Sequence, residues 1–160
     1  MKKYIFSIVA MLAVCAAFVA CGSDDDDQQY SHSQAPSVEM QGTYTGTFTR
    51  IQSNDANAQP ESAEGTIYLT PGENGYVANI KFLSTDLKID VEKVANISFA
   101  NDGAVFSNYK DASQIVGNIS NNGQLSVSFA LTIRITPRSS RPYNITFSGS
   151  KTSSTVAVGE

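Results

Sequence analysis

The stretch LSVSFALTIRI, residues 125–135, alternates apolar and mostly polar side chains along its whole length. Successive side chains of a β-strand point to opposite faces, so this pattern places one apolar face against a core and one polar face in water. Such alternation is typical of an antiparallel sheet with one solvated side. We therefore predict an antiparallel strand over residues 125–135.

The same two-residue period recurs along most of the chain after residue 42. It is clear in residues 43–49, where threonine occupies every second position, and again in residues 143–148. Shorter alternating runs are residues 66–69, 76–83, 87–91, 94–99, 104–109 and 115–120. No convincing helical period of 3.6 residues follows the N-terminal leader. The pattern predicts an all-β domain of eight or nine strands.

Turn signals separate these runs at short intervals. Asn74-Gly75, Asp102-Gly103 and Asn122-Gly123 each stand between two alternating runs, and such dipeptides favour tight hairpin turns. Residues 52–62 form a longer polar loop. Successive hairpins favour an antiparallel up-and-down meander. A sandwich and a closed barrel both accommodate such strands, and short hairpins favour the barrel because closure removes the exposed edges.

The N-terminus carries a leader. Lys2 and Lys3 precede an apolar stretch, residues 4–20, that ends in small side chains, as in a secretory signal peptide over residues 1–20. The alternative is an uncleaved membrane anchor, since roughly 17 apolar residues is the lower edge of a bilayer span. The sequence FVAC, residues 18–21, resembles a bacterial lipobox with Phe18 where leucine is commonest. That resemblance implies lipid attachment to Cys21.

Residues 21–37 are interpreted as a lipidated, acidic, flexible tether, because the carboxylates of Asp24–Asp27 repel one another. CGSDDDD, residues 21–27, resembles the export signal of surface lipoproteins in Bacteroides-type bacteria. It implies a lipid-anchored protein of the outer membrane, displayed on the cell surface. An acidic tether avoids anionic lipid, so attachment then depends on the lipid chain. His32, the single histidine, is predicted to be solvated rather than a metal ligand.

Residues 38–160 are predicted to form one domain. Its segments GTYTGTF (42–48), GTI (65–67), IKF (80–82), VGNI (116–119) and NNGQL (121–125) resemble, in this order, the calycin-like β-barrel domain of lipoproteins from Bacteroides-type bacteria. The resemblance covers roughly residues 41–147 and implies an eight-stranded, lipocalin-like barrel. Calycins bind small apolar ligands inside the barrel. The Gly-x-Trp of true lipocalins is here Gly42-Thr43-Tyr44, and the chain has no tryptophan.

We find no catalytic signature in the predicted domain. It contains neither histidine nor cysteine, which removes histidine acid–base chemistry, thiol nucleophiles and the usual zinc sites. The whole chain has a net charge of −4, and the domain has no basic patch, which argues against nucleic acid as a partner. Asp90 and Glu92 share a strand face and are interpreted as a solvated pair balanced by Lys88 and Lys93; an acid–base pair or a weak cation site is the alternative. We expect no enzyme activity, metal or cofactor.

Five aromatic side chains occupy positions predicted to point into the barrel: Phe48, Tyr76, Phe82, Phe129 and Phe147. The interior of an eight-stranded barrel is either filled by side chains or holds one small ligand. These residues are therefore either core or the lining of a ligand pocket. The first function we consider is non-enzymatic binding of a small apolar or lipidic ligand inside the barrel.

Arg134, Arg138 and Arg141 cluster around Pro137. They are either exposed strand ends or a surface at the barrel rim that holds an anionic ligand or a glycan. The alternative function is thus an interaction module with a filled barrel, which contacts a surface protein or a glycan through its loops.

Overall fold

The computed structural model describes residues 32–110 and 114–155, and within them one short helix and eight strands. The elements are α1 Pro36–Glu39, β1 Gly42–Gln52, β2 Glu61–Pro71, β3 Val77–Ser84, β4 Ile89–Ala100, β5 Gly103–Asn108, β6 Ile115–Ser120, β7 Gln124–Thr136 and β8 Ser139–Ser153. The predicted signal peptide, Cys21 and Asp24–Asp27 lie outside the described residues.

The strands close into a barrel in sequence order, β1 to β8, and β1 completes the ring by pairing with β8. Every neighbouring pair is antiparallel. This confirms the predicted all-β up-and-down meander with eight strands. The β4–β5 and β6–β7 turns fall at the predicted dipeptides, where Gly103 and Gly123 have φ angles of 142° and 81°. Glycine adopts such positive φ angles without a steric penalty.

Residues 89–91 of the first predicted run and all of the run 94–99 belong to one strand, β4, and residues 87–88 lie in the turn before it. The alternation is interrupted because Lys93 stands at an inward position, directly opposite the buried Ile80 of β3, while Val94 faces outward. A polar residue on the inner face breaks the sequence pattern without ending the strand. This explains why the pattern left eight and nine strands as alternatives.

A segment ahead of the barrel, His32–Met40, packs against it. The compact unit begins at His32, so residues 32–37 of the predicted tether belong to it. Pro36 and Ser37 are buried, and the Ser37 N–H donates to the carbonyl of Gly75 at 3.1 Å. His32 is not simply solvated, because its ring stacks on Phe99 with centroids 3.4 Å apart. Within the described residues no helix has the length and apolar character that a membrane crossing needs.

The inner face of the barrel forms a single hydrophobic cluster. Across three strands runs a row of glycines, in which Gly46 lies opposite Gly65 of β2 and Gly149 of β8. A Cβ at Gly65 would stand 2.6 Å from the Phe48 ring, and a Cβ at Gly149 would stand 2.6 Å from the Phe147 ring. The glycines therefore make the space that the two rings occupy.

Candidate functional site

Four of the five predicted inward aromatic residues meet in the middle of the barrel. Ring centroids are 4.7 Å apart for Phe48 and Phe147, 6.4 Å for Phe48 and Phe82, and 4.3 Å for Phe82 and Phe129. All four side chains are at most 4% exposed. A ring beside a void larger than a water molecule would keep accessible surface. These rings therefore pack against one another as core.

The fifth aromatic residue, Tyr76, is not inside the barrel. It is 64% exposed, and the prediction that it points inward is wrong. Tyr76 has the same parity as Phe82, but β3 begins only at Val77. The Tyr76 N–H donates to the Asn74 side chain at 2.9 Å, in a turn that rotates the ring into solvent.

The end of the barrel opposite α1 is closed by Arg50, a residue that the sequence analysis missed. Arg50 shares the inward parity of Phe48 and its side chain is only 11% exposed. Its Nη2 and Nε donate to Glu61 Oε2 at 2.6 and 3.0 Å, and Nη1 donates to the carbonyl of Leu87. The guanidinium carbon lies 4.9 Å from the centroid of the Tyr143 ring. One cation thus ties β1 to β2, to the β3–β4 turn and to β8.

The other end is closed by the segment that contains α1. The hydroxyl of Tyr44 donates to the carbonyl of Met40 at 2.6 Å, and burial raises the pKa of the Tyr44 phenol. Lys151 Nζ lies 6.0 Å from the Tyr44 ring centroid and donates to the carbonyl of Glu39 at 3.4 Å. Burial lowers the pKa of Lys151, against the opposing effect of the Glu39 carboxylate. Both ends of the inner cluster are therefore covered by protein.

The three predicted arginines lie together at the β7–β8 hairpin, and all three are exposed. Arg134 Nη2 donates to the carbonyl of Pro137 at 2.6 Å, and Arg141 Nη1 donates to Gln52 Oε1 at 3.2 Å. The backbone N–H of Arg138 donates to the Thr136 hydroxyl at 3.3 Å. The structure brings the three residues to one rim.

A groove of about 530 Å³ lies elsewhere, on the outer wall of the barrel. It opens to solvent between β1, β2 and the β3–β4 turn, and its lining is Thr45, Gly46, Thr47, Glu64, Gly65, Thr66, Leu83, Ser84, Thr85 and Asp86. The Ser84 hydroxyl holds the turn against β2 by donating to the carbonyl of Glu64 at 2.8 Å. The turn therefore forms one wall of the groove.

The floor of this groove is polar. Thr47 lies directly opposite Glu64, and Thr45 lies directly opposite Thr66, on the outer face of the β1–β2 ladder. The threonine pattern predicted an exposed face. No local signal in the sequence indicated that Asp86, in a turn two strands later, would border it.

The predicted carboxylate pair is solvated as expected, with a different partner. Asp90 and Glu92 lie 4.0 and 3.9 Å from Lys81 of β3, and Lys93 points to the opposite face. In the part of the chain that the structure describes, no three histidine, cysteine, aspartate or glutamate residues gather as a metal site would require.

No family model matches this chain, and no curated protein matches it significantly.

Proposed function

We propose that this chain is a lipid-anchored, surface-displayed binding protein without catalytic activity, and that the outer groove binds a glycan. We base this proposal on where the structure leaves space for a ligand. The rings of the inner face are in mutual contact and both ends are covered, whereas the wall bears an open groove of about 530 Å³. Ligand sites in proteins range from about 300 to 1,000 Å³.

The chemistry of the groove suits a polyhydroxylated ligand. The hydroxyls of Thr45, Thr47 and Thr66 both donate and accept hydrogen bonds, and the carboxylates of Glu64 and Asp86 accept them from ligand hydroxyls. Bonds to ionised carboxylates are stronger than bonds between neutral groups. Water molecules bridge the longer contacts of such polar sites at little cost. The groove therefore favours a glycan over an apolar molecule.

An apolar ligand inside the barrel is the weaker proposal. It would have to separate Phe48 from Phe147 and Phe82 from Phe129, and each separation loses close dispersion contacts. Protein interiors packed in this way resist the insertion of additional volume. The barrel is better explained as a rigid scaffold for its outer surface.

The lipid anchor is proposed from the N-terminal sequence pattern alone. A signal peptide over residues 1–20, followed by Cys21 and Asp24–Asp27, is expected to place the domain outside the cell. Changing Cys21→Ser is expected to release the protein from membranes. Continued membrane association of that variant would indicate an uncleaved leader helix.

A glycan array probed with the full lipoprotein tests the groove. The double variant Thr47→Val with Glu64→Gln keeps the shapes of a cross-strand pair and removes a hydroxyl and a charge. We expect it to lose about tenfold or more in affinity for the bound glycan. The matched control, Thr146→Val with Glu92→Gln, changes exposed residues outside the groove and is expected to bind normally.

Two results would contradict the groove as the site. One is binding to no glycan on the array. The other is unchanged binding by the groove variant together with lost binding by Arg138→Ala and Arg141→Ala, which would move the site to the β7–β8 rim.

A further inference from the structure

The barrel wall is incomplete on one side. β5 ends at Asn108, opposite Ala95 of β4, and β6 begins at Ile115, opposite Phe129 of β7. Among the described residues, 89–94 of β4 and 130–136 of β7 therefore have no strand partner on the sides that face each other. We call the gap between these two segments the side notch.

Lys93 reaches across the side notch from within. Its position opposite Ile80 directs the side chain inward, and its Nζ lies 5.4 Å from the centroid of the Phe129 ring on β7. An ammonium over an aromatic face is attracted by the negative charge density of the ring. The contact places the positive charge at the opening between the two strands.

This charge has no acidic partner in the part of the chain that the structure describes, where no carboxylate lies within 4.0 Å of Lys93 Nζ. The neighbouring acids Asp90 and Glu92 face outward and lie near Lys81 instead. Burial lowers the pKa of Lys93. A partly desolvated ammonium without an anion is costly, so an anion that enters the notch relieves an existing penalty.

The surroundings of the charge are apolar. Val91 on β4, and Leu131 and Ile135 on β7, pack against the core and remain partly exposed. They lie on the inner faces of the two unpaired segments, beside the opening. A molecule held by Lys93 would therefore place its remaining part against hydrocarbon.

We propose that the side notch binds the anionic head group of an amphipathic molecule, a carboxylate or sulfate that carries an apolar tail, and that Lys93 supplies the cation. The apolar rim and the single unmatched charge together define this chemistry. The site is distinct from the groove between β1, β2 and the β3–β4 turn, because none of the groove residues belongs to β4 or β7.

Calorimetric titration with octanoate and octanol, which share a chain length and differ in charge, tests the proposal. The full chain with Cys21→Ser lacks the lipid acceptor and keeps the barrel, so it avoids detergent competition. We expect octanoate to bind about tenfold or more tightly than octanol. Lys93→Met is expected to abolish this preference, whereas Lys81→Met, which alters an outward-facing lysine, is expected to retain it.

Several outcomes would overturn the proposal: no binding of either compound, equal affinity for both, or an intact preference in Lys93→Met. Asp111 belongs to the connection between β5 and β6 and lies outside the described residues. A marked rise in octanoate affinity in Asp111→Asn would also overturn the proposal, since an acid of this chain would then be the natural occupant. The melting temperature of Lys93→Met excludes a trivial loss of fold. The groove variant Thr47→Val with Glu64→Gln is expected to bind octanoate normally, so the two sites are tested separately.

Discussion

The barrel end that Arg50 closes and the side notch each contain an inward-facing cation, and the two cations have opposite surroundings. Arg50 is held by a carboxylate, a backbone carbonyl and an aromatic face. Lys93 has an aromatic face and, among the described residues, no carboxylate within 4.0 Å. A cation on the inner face is stabilising where it has hydrogen-bond acceptors and an opposite charge beside it, and costly where it has no anion. The first region is therefore built for stability, and the second has an unmet capacity to bind an anion.

The wall around each cation accounts for this difference. β1, β2 and β8 have 11, 11 and 15 residues, so the ladders around Arg50 continue to the end of the barrel and bring Glu61 and Tyr143 to it. β5 and β6 have six residues each, and among residues 32–110 and 114–155 no ladder partner reaches β4 beside Lys93 on that side. The lengths of the neighbouring strands thus determine which inward-facing cation has polar partners.

The largest expected effect comes from the packed centre of the barrel. Phe48→Ala removes a fully buried ring that contacts Phe82 and Phe147. We expect a loss of about 3–5 kcal/mol in unfolding free energy, measured by chemical denaturation, because a cavity remains where the ring was. A loss below about 1 kcal/mol would mean that the centre of the barrel is loosely filled and does not act as a rigid core.

Arg50→Met is expected to be the next most damaging change. It removes all three hydrogen bonds to Glu61 and Leu87 and the contact with the Tyr143 ring. Because Glu61 is itself half exposed, we expect a loss of about 2 kcal/mol rather than the larger cost of a fully buried pair. Glu61→Gln, which keeps an acceptor oxygen, is the control and should cost less. Equal stability of Arg50→Met and the wild type would remove Arg50 from its proposed role as the closure of that end.

Lys93→Met is expected to act in the opposite direction. The substitution keeps the length of the side chain and removes an ammonium that is partly buried, so we expect a small gain, on the order of 0.5 kcal/mol. Thermal unfolding of the two methionine variants side by side measures the contrast. Destabilisation by Lys93→Met would show that the lysine is satisfied in the folded protein, and the distinction between the two regions would disappear.

The smallest expected effect is in the pH dependence of stability. Burial lowers the folded-state pKa of Lys93 from 10.5, the value expected for the unfolded chain. At a pH between the folded-state and unfolded-state pKa values of Lys93, the unfolded chain binds more protons than the folded protein. The stability of the folded protein therefore increases with pH in this range, as the destabilising charge on Lys93 is lost. Burial also lowers the pKa of Lys151, so Lys151 changes stability with pH in the same direction. Lys151 is present in both the wild type and Lys93→Met, so its effect cancels in their difference. The stability difference between Lys93→Met and the wild type should therefore shrink as the pH rises towards 10.5; a constant difference would contradict this.

The alternating pattern predicted the strands and their order because side-chain parity and hairpin turns are local properties. It failed where one residue departs from its neighbours. Tyr76 has the parity of an inward residue, yet a turn directs it into solvent. Arg50 and Lys93 hold inward positions that the pattern assigns to apolar residues.

Contacts between distant parts of the chain account for the other differences. The segment with α1 is held by partners such as Gly75 and Phe99, which lie far from residue 36 in the sequence. The groove depends on the β3–β4 turn lying beside the outer face of β2, through the hydrogen bond from Ser84 to Glu64. Local pattern therefore determined the barrel, and long-range packing determined the candidate sites.

We propose that the barrel is a filled scaffold and that ligands bind to its wall. Crystals of the protein placed under xenon gas test it directly, because xenon occupies dry apolar cavities. We expect no xenon among the rings of Phe48, Phe82, Phe129 and Phe147. A xenon atom at that position would reveal an internal cavity, contradict the filled scaffold and return the search to an apolar ligand inside the barrel.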